Sequence, residues 1–370
     1  MKIGIDAHTL GSRSSGNESY YLQLLQELAK VPDVRNQYVI YFTLQNGKAK
    51  IPAASNFIVK RIRPASPYIR IPFSFPMEFQ REKLDVFHAQ FIIPPFCKAK
   101  TVTTIPDILF ESHPEFFTRA ENFRFRLLIP WSARRADHII TVSQASKNDI
   151  VSKYRIDPEK ISVIDEAPRD EFHPMNPETC RARMERKYGI RDPFVLYVGR
   201  INPRKNLLRL IDAFSILRQK GISQKLVIVG KQDLLAEQVV QRVKELSLEE
   251  AVIFTGYVDW DDVPMFYNAA DVFVFPSICE GFGLPVVEAM ACGVPVVTSC
   301  GSSLEEVAGD AAALADPHSI HSIAEAINEV LSHPELRTSL REKGLKRVRD
   351  FDAARSAQQT IAVYHRLMAQ

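Results

Sequence analysis

The chain has 370 residues, a length more typical of two domains than of one. Hydrophobic residues make up 46% of it and charged residues 25%, and the net charge of +3 is too small for a nucleic-acid-binding surface. Five scattered cysteines, odd in number and without a C-x-x-C pair, argue against a disulfide framework or a zinc site and favour reduced thiols.

The position of the charges and the absence of long apolar runs indicate where the protein works. No apolar stretch approaches the roughly 18 residues that span a bilayer, and no signal peptide precedes the first predicted strand. Between residues 48 and 135, however, 15 basic residues face 7 acidic ones, which suits an acidic ligand or an anionic membrane surface. We therefore expect a cytoplasmic protein, peripheral at most on the inner face of the membrane.

The first half alternates predicted strands with helices. A strand at residues 1–6, a polar turn at 11–18 and a helix at 20–28 form the opening of a parallel α/β sheet. Further strands are predicted at 38–42, 57–62, 85–88, 101–105 and 139–142. The proline- and aromatic-rich run 61–77 is predicted to be an exposed loop.

The second half repeats this pattern after a proline-rich connector at 173–177. We predict two Rossmann-like, doubly wound parallel-sheet domains, at residues 1–177 and 178–351, and a separate final helix within 352–370. The predicted strands of the second domain lie at 194–198, 226–230, 252–256, 272–275 and 294–298.

A glycine-rich turn and a short helix follow the strand at 272–275. Pro285 suits the start of the helix and Gly293 its left-handed end, which predicts a helix over 285–292. Glu280 lies just upstream, and Glu288 is predicted near the first turn among apolar neighbours. The free N–H groups of such a helix terminus bind anions well.

Two cations follow another buried strand. Arg200 and Lys205 belong to one loop after Gly199, where either can hold a pyrophosphate by charge-assisted hydrogen bonds. The alternative is a solvated cationic loop, which the position directly after a buried strand disfavours. Gly281 and Gly283 are likewise either plain turn residues or sites where the backbone approaches a phosphate or sugar closely.

Several other motifs have simpler explanations. The sequence has neither a G-x-G-x-x-G nor a Gly-Lys-Ser/Thr motif. The D-x-D at 259–261 resembles a metal motif, but Asp261 or Asp262 is better explained as a helix cap. Ser143 is predicted to cap a helix over 144–154, because no nucleophile elbow surrounds it.

The run from Glu280 to Glu288, followed by Ala-Met-Ala-Cys-Gly-Val-Pro, resembles the E-x7-E signature of the retaining family-4 glycosyltransferases with the GT-B fold. Val198-Gly-Arg200 with Lys205-Asn206 is similar to the donor-phosphate loop of that family. The first half is similar more loosely, at residues 136–143 and around Gly16. The resemblance implies that a nucleotide-sugar is bound mainly by the second domain, in a cleft between the two domains, and that the last helix crosses back to the first.

The resemblance also implies roles for single residues. Arg200 and Lys205 would hold the diphosphate, Glu288 the ribose hydroxyls and Glu280 the sugar hydroxyls. No metal or cofactor is expected. The candidate catalytic residues are Glu280, Arg200, Lys205 and Asp107, and the candidate donor-binding residues are Gly16, Arg200, Lys205, Gly230, Val258 (backbone to the base), Glu280, Gly281, Phe282, Gly283, Leu284 and Glu288.

The sequence departs from the family pattern in the first half. Pro106-Asp107 stands where the family often has His-Asp, so a histidine expected against the sugar is missing while Asp107 remains. The usual paired glycines of the first loop are reduced to Gly16-Asn17.

The resemblance implies a retaining transfer of a hexose from a nucleotide-sugar, and we expect UDP-glucose as the first candidate donor and GDP-mannose as the second. The expected acceptor is a polysaccharide or lipid-linked saccharide, with possible peripheral membrane contact through the basic, aromatic stretch 119–135 and the run 61–70. An ordinary amphipathic helix packed by Phe123, Leu127 and Trp131 explains that stretch equally well. The rival functions are a nucleotide-sugar epimerase or phosphorylase of the same fold and a non-catalytic nucleotide-sugar sensor.

Overall fold

The computed structural model describes residues 1–12, 15–31, 35–231 and 236–369, apart from the side chain of Ser15. The chain forms two compact units, one of Met1–Glu166 with Asp352–Gln370 and one of Ala167–Phe351. The first unit therefore ends at Glu166, earlier than the boundary that the sequence predicts at 177.

Side-chain contacts explain the earlier boundary. The backbone N–H of Met175 donates to Oδ1 of Asn268 at 2.7 Å, and the Asn268 amide donates to the carbonyl of His173 at 3.0 Å. The Phe172 ring packs on Tyr267, with ring centroids 5.8 Å apart. The proline-rich segment is thus part of the second unit, because its backbone hydrogen-bonding groups are satisfied there.

The first unit contains a seven-stranded parallel sheet in the order β3-β2-β1-β4-β5-β6-β7. Its strands are β1 Lys2–Asp6, β2 Gln37–Phe42, β3 Phe57–Arg61, β4 Val86–Gln90, β5 Lys100–Thr104, β6 His138–Thr141 and β7 Ile161–Val163. Its helices are Ser15–Lys30, Gln45–Lys48, Pro67–Ile69, Phe75–Arg81, Leu109–Ser112, Arg119–Arg135, Gln144–Tyr154 and Ala353–Ala369, with a π-helical segment at Arg70–Ser74.

The second unit contains a six-stranded parallel sheet in the order β10-β9-β8-β11-β12-β13. Its strands are β8 Phe194–Val198, β9 Lys225–Val229, β10 Val252–Gly256, β11 Val272–Phe275, β12 Val296–Ser299 and β13 Ala312–Ala315. Its helices are Pro177–Tyr188, Leu207–Gln219, Ala236–Glu245, Val263–Ala269, Leu284–Cys292, Ser303–Ala308, Ile320–Ser332 and Pro334–Arg347.

The two strand orders confirm the predicted fold class of two doubly wound parallel sheets. In each sheet the order reverses once, between β1 and β4 and between β8 and β11. Ligands of such sheets bind beyond the carboxyl ends of the strands at this reversal. In the second unit, the loops after β8 and β11 therefore mark the candidate site.

The last helix belongs to the core of the first unit. Ala357, Val363 and Leu367 of Ala353–Ala369 share one buried apolar cluster with Ile3 and Ile5 of β1. The Tyr364 hydroxyl lies 2.7 Å from Nδ1 of the buried His88, whose Nε2 lies 2.7 Å from the Thr104 hydroxyl. A polar chain thus runs from the last helix through β4 to β5.

The run 61–77 is not the loop that the sequence predicts. It forms the helix Pro67–Ile69, the π-helical segment Arg70–Ser74 and the start of the helix Phe75–Arg81. Pro67 lies in the first turn of this helical run, where a missing N–H costs no hydrogen bond. Pro67 therefore starts a helix here, and the run continues through Pro72 and Pro76 without a break.

Two predicted caps have opposite outcomes. Ser143 caps Gln144–Tyr154 as predicted, with its Oγ accepting from the N–H of Ser146 at 3.1 Å. Asp262 precedes Val263–Ala269 but makes no side-chain cap. Its carboxylate binds Arg183 at 2.8 Å and the Tyr188 hydroxyl at 2.7 Å, so charged and polar groups of another helix compete successfully for it.

No helix in the described part of the chain is long and apolar enough to cross a membrane.

Candidate functional site

The loop after β8 carries the two predicted cations and is fastened to its neighbours. Asn202 Oδ1 accepts from the N–H of Lys205 at 3.2 Å. Asn206 adopts φ 62°, and its side-chain amide donates to the carbonyls of Pro276 at 2.9 Å and Pro317 at 2.7 Å. These bonds hold the loop against the carboxyl end of β11, while the Arg200 side chain is exposed.

Gly230 supports this loop from the next strand. Its φ is 153°, and a Cβ atom at this position would lie 2.0 Å from the carbonyl oxygen of Gly199. A side chain cannot fit there without moving the backbone. Gly230, predicted to bind donor, thus also sets the position of the loop that carries Arg200.

Glu280 binds two cations of the β8 loop. Its Oε1 lies 2.6 Å from Nζ of Lys205, and its Oε2 lies 2.9 Å from the guanidinium of Arg204. The Lys205 ammonium also lies 4.4 Å from the centroid of the Phe275 ring, the last residue of β11. The structure therefore brings together Glu280 and Lys205 as predicted, and adds Arg204, which the sequence analysis missed.

Burial and charge compete in this cluster. Burial works against ionisation of Glu280, but Arg204 and then Lys205 outweigh it and lower the pKa of the carboxyl. Burial lowers the pKa of Lys205, and Glu280 offsets part of that effect. Glu280 is therefore an ionised carboxylate that Arg204 and Lys205 hold in place.

The glycine-rich turn is anchored beside this cluster. Ser303 donates from Oγ to the carbonyls of Glu280 at 2.6 Å and Phe282 at 3.2 Å. Gly283 has φ 119° and precedes the helix Leu284–Cys292, whose first N–H groups point into the turn. The helix ends at Gly293 with φ 72°, as predicted.

Glu288 lies one residue further along the helix than predicted, just beyond its first turn. The helix begins at Leu284, so its first turn contains no acidic residue, and an interaction with the helix dipole does not explain Glu288. The side chain is buried, and Oε2 accepts from the Tyr267 hydroxyl at 3.2 Å. Burial raises the pKa of the carboxyl to about 7, although Arg169 and Tyr267 oppose the shift.

Arg169 and Tyr267 are further residues that the sequence analysis missed. The Arg169 guanidinium lies 4.4 Å from the centroid of the Trp260 ring and 5.5 Å from that of Phe172. These rings hold the guanidinium by cation–π contacts, and its charge opposes the rise that burial causes in the pKa of Glu288. No local sequence motif marks Arg169, since its partners come from other segments.

The remaining predicted residues lie apart from this cluster in the chain. Val258 is buried just after β10. Gly16 and Asp107 belong to the first unit: Gly16 lies in the first turn of Ser15–Lys30, and Asp107 accepts from the N–H of Leu109 at 3.1 Å. Among the residues that the structure describes, no group of three or more His, Cys, Asp or Glu side chains could hold a metal ion.

Family models match both units. Residues 14–166 match the model of glycosyltransferase family 4, and residues 181–347 match that of glycosyl transferases group 1. This chain therefore belongs to glycosyltransferase family 4, and it is a glycosyltransferase that acts on a sugar donor. The predicted family is confirmed.

Two relatives span most of the chain. The O-antigen chain mannosyltransferase B of Escherichia coli is 31% identical over 280 residues, which are 75% of this chain and 74% of that protein. The O-antigen chain mannosyltransferase RfbU of Salmonella typhimurium is 28% identical over 345 residues, 90% and 91% of the two chains. Other relatives are longer: this chain spans 34% of an E. coli serotype-specific mannosyltransferase WbdA to which it is 31% identical.

Solved structures show the same fold. Anabaena HepE in complex with UDP-glucose has a TM-score of 0.77 and 20% identity, covering 98% of this chain and 99% of HepE. The two parallel-sheet units are thus those of the GT-B glycosyltransferases.

Proposed function

We propose that the chain transfers a hexose, with retention of configuration, from a nucleoside diphosphate sugar to a saccharide acceptor. The observation that carries the proposal is the contact between Lys205 and Glu280 at the ends of β8 and β11. It places a cation suited to a diphosphate directly beside a carboxylate suited to sugar hydroxyls. A nucleoside diphosphate sugar presents both a diphosphate and sugar hydroxyls, which are the partners of these two groups.

The proposed chemistry uses charge stabilisation. The bond between the anomeric carbon and the phosphate oxygen breaks, which leaves positive charge on the sugar and negative charge on the diphosphate. Arg200, Lys205 and the N-terminus of Leu284–Cys292 stabilise the leaving group without a metal or cofactor. The acceptor oxygen bonds to the anomeric carbon on the same face, and its proton passes to the departing phosphate oxygen.

We propose roles toward this donor for the other site residues as well. Glu288 binds the ribose hydroxyls, and the backbone of Val258 meets the base. The backbone of Gly281, Phe282, Gly283 and Leu284 surrounds the sugar and phosphates. In the first unit, Gly16 remains a candidate for donor binding and Asp107 a candidate catalytic residue.

GDP-mannose is the first candidate for the donor, and UDP-glucose is the second. Both relatives that span most of the chain are named mannosyltransferases, which supports mannose as the sugar. HepE, a neighbour in fold, binds UDP-glucose, which keeps that donor as the second candidate. The names of these relatives support a growing polysaccharide chain as the acceptor. A lipid-linked saccharide acceptor and a cytoplasmic setting are further parts of the proposal.

A thermal-shift screen tests the proposal. GDP-mannose, UDP-glucose and ADP-glucose are each added to the full chain, and the correct donor raises the unfolding temperature by mass action. The exposed Arg200→Ala should reduce that shift, whereas Arg186→Ala, an exposed residue on Pro177–Tyr188, should keep it.

Three results would contradict the proposal. The first is that none of the three nucleotide-sugars stabilises the chain. The second is an epimerised donor formed without any acceptor, which would indicate an isomerase. The third is binding with neither transfer nor hydrolysis, which would indicate a sensor.

A further inference from the structure

The helix Arg119–Arg135 leaves its large apolar side chains in solvent. Phe123 is 75% exposed, Leu127 60% and Trp131 41%. Their spacing of four residues places them on one face of the helix. The side chains that the helix buries are Ile129, Pro130, Ser132 and Ala133. The alternative in which Phe123, Leu127 and Trp131 pack the helix onto its unit is therefore wrong.

A neighbouring segment extends this surface. Tyr68 is 68% exposed and Phe73 is 63% exposed, on the helical run that follows β3. The guanidinium of Arg124 donates to the Tyr68 hydroxyl at 2.9 Å, which joins the two segments. We call the exposed side chains of Tyr68, Phe73, Phe123, Leu127 and Trp131 the aromatic face.

Positive charge surrounds the aromatic face. The helix carries five arginines and one glutamate, and Arg119, Arg134 and Arg135 are exposed. The Arg135 guanidinium lies 5.6 Å from the centroid of the Trp131 ring. The helix has one glutamate, Glu121, and its Arg126 pairs with Glu111 at 3.3 Å, so the five arginines still leave an excess of positive charge.

We propose that the aromatic face binds the surface of a bilayer that contains anionic phospholipids. Aromatic and leucine side chains enter the boundary between headgroups and acyl chains, and the arginines contact the lipid phosphates. A second copy of the chain fits less well, because a two-fold contact would set the arginines of one helix against those of the other. The 17-residue helix lies in the plane of the interface, with its buried side on the protein.

This proposal is independent of the donor. Vesicle binding needs no nucleotide-sugar, and the donor screen needs no vesicles. A negative result in one of these experiments therefore does not contradict the proposal that the other tests.

Flotation of the full chain with vesicles tests the proposal. At low salt the chain should float with equal parts phosphatidylcholine and phosphatidylglycerol, and remain at the bottom with phosphatidylcholine alone. The variant F123S/L127S/W131S should lose flotation, because it removes only exposed apolar side chains. The variant R134Q/R135Q should bind more weakly by on the order of fivefold per arginine.

The matched control is R186Q/R349Q, which removes the same charge from exposed positions of the second unit. It should bind as the wild type does. The proposal is overturned if the wild type does not float with the anionic vesicles at low salt, or if R186Q/R349Q weakens binding as much as R134Q/R135Q. A concentration-dependent dimer in sedimentation that F123S/L127S/W131S abolishes would instead assign the face to a second copy.

Discussion

The buried carboxyl group of Glu288 ionises at a higher pH than an ordinary glutamate does. Burial raises its pKa from 4.5 to about 7, and only the Tyr267 hydroxyl and the charge of Arg169 oppose the shift. A ligand that donates hydroxyl groups to this carboxyl would favour its ionised form. In the free protein, ionisation of Glu288 is less favourable than in the unfolded chain. This residue therefore lowers the free energy of unfolding near neutral pH.

This cost predicts a pH-dependent difference between the wild type and Glu288→Gln. The unfolded carboxyl ionises near pH 4.5 and the folded one near 7, so the folded chain binds more protons between these values. The wild type should lose up to about 3 kcal/mol relative to Glu288→Gln as pH rises through that window, with no further loss above it. Urea unfolding at a series of pH values measures the difference.

The exposed Glu325→Gln serves as the control and should follow the wild type at each pH. If the stabilities of the wild type and Glu288→Gln change in parallel from pH 5 to 7, Glu288 is not the buried, protonated group that we describe.

At this scale the sequence identified the charged residues but not all of their partners. Glu280 and Lys205 carry recognisable motifs, because their spacing follows glycines and buried strands. Arg204 binds Glu280 across 76 residues of chain, and no local pattern encodes such a pairing. Tyr267 and Arg169 were missed for the same reason.

Among the elements, the loop after β8 depends on the turn after β9. The carbonyl of Gly199 occupies the space where a side chain at Gly230 would begin, and both glycines have positive φ. The position of Arg200 is therefore set in part by a residue on a different loop.

Gly230→Ala should destabilise the chain by about 1–3 kcal/mol and reduce the donor-induced thermal shift, because the Cβ would displace the Gly199 carbonyl. Gly221→Ala is the control. Gly221 also has positive φ (85°), but open space surrounds its Cβ position. Gly221→Ala should therefore lower stability through backbone strain alone and leave the donor-induced thermal shift unchanged. Equal effects of the two variants on that shift would contradict the proposed support of the loop.

Elements with strong local signals were predicted closely. The strand at 272–275 and the helix end at Gly293 lie as expected, since continuous apolar residues and a left-handed glycine determine them locally. The boundary at 177 and the loop at 61–77 were wrong. In both places proline was taken as a sign of irregular structure, while the contacts of Asn268 and the first-turn position of Pro67 favour regular structure or a place in the second unit.

At the scale of the whole molecule, the first unit is discontinuous in sequence. Its sheet comes from residues before Glu166, and its last helix comes from Ala353–Ala369. Burial lowers the pKa of His88 to about 3, so the imidazole is neutral when it contacts Tyr364 and Thr104.

Tyr364→Phe should therefore destabilise the chain by about 1–3 kcal/mol, because it leaves one nitrogen of a buried imidazole without its partner. Thermal and urea unfolding measure the loss. Met368→Ala, on the exposed side of the same helix, should change stability little. Equal stabilities of the two variants would show that the contact between His88 and Tyr364 contributes nothing measurable.

The discontinuity also sets an order of events on the ribosome. Residues 167–351 must be synthesised between the last strand of the first sheet and the helix that completes its core, an interval of roughly ten to forty seconds at ordinary elongation rates. During that time the nascent first unit exposes the apolar surface that Ala357, Val363 and Leu367 later cover. The second unit is continuous and can finish folding first, so the unit translated earlier is the one that depends longest on protection from aggregation.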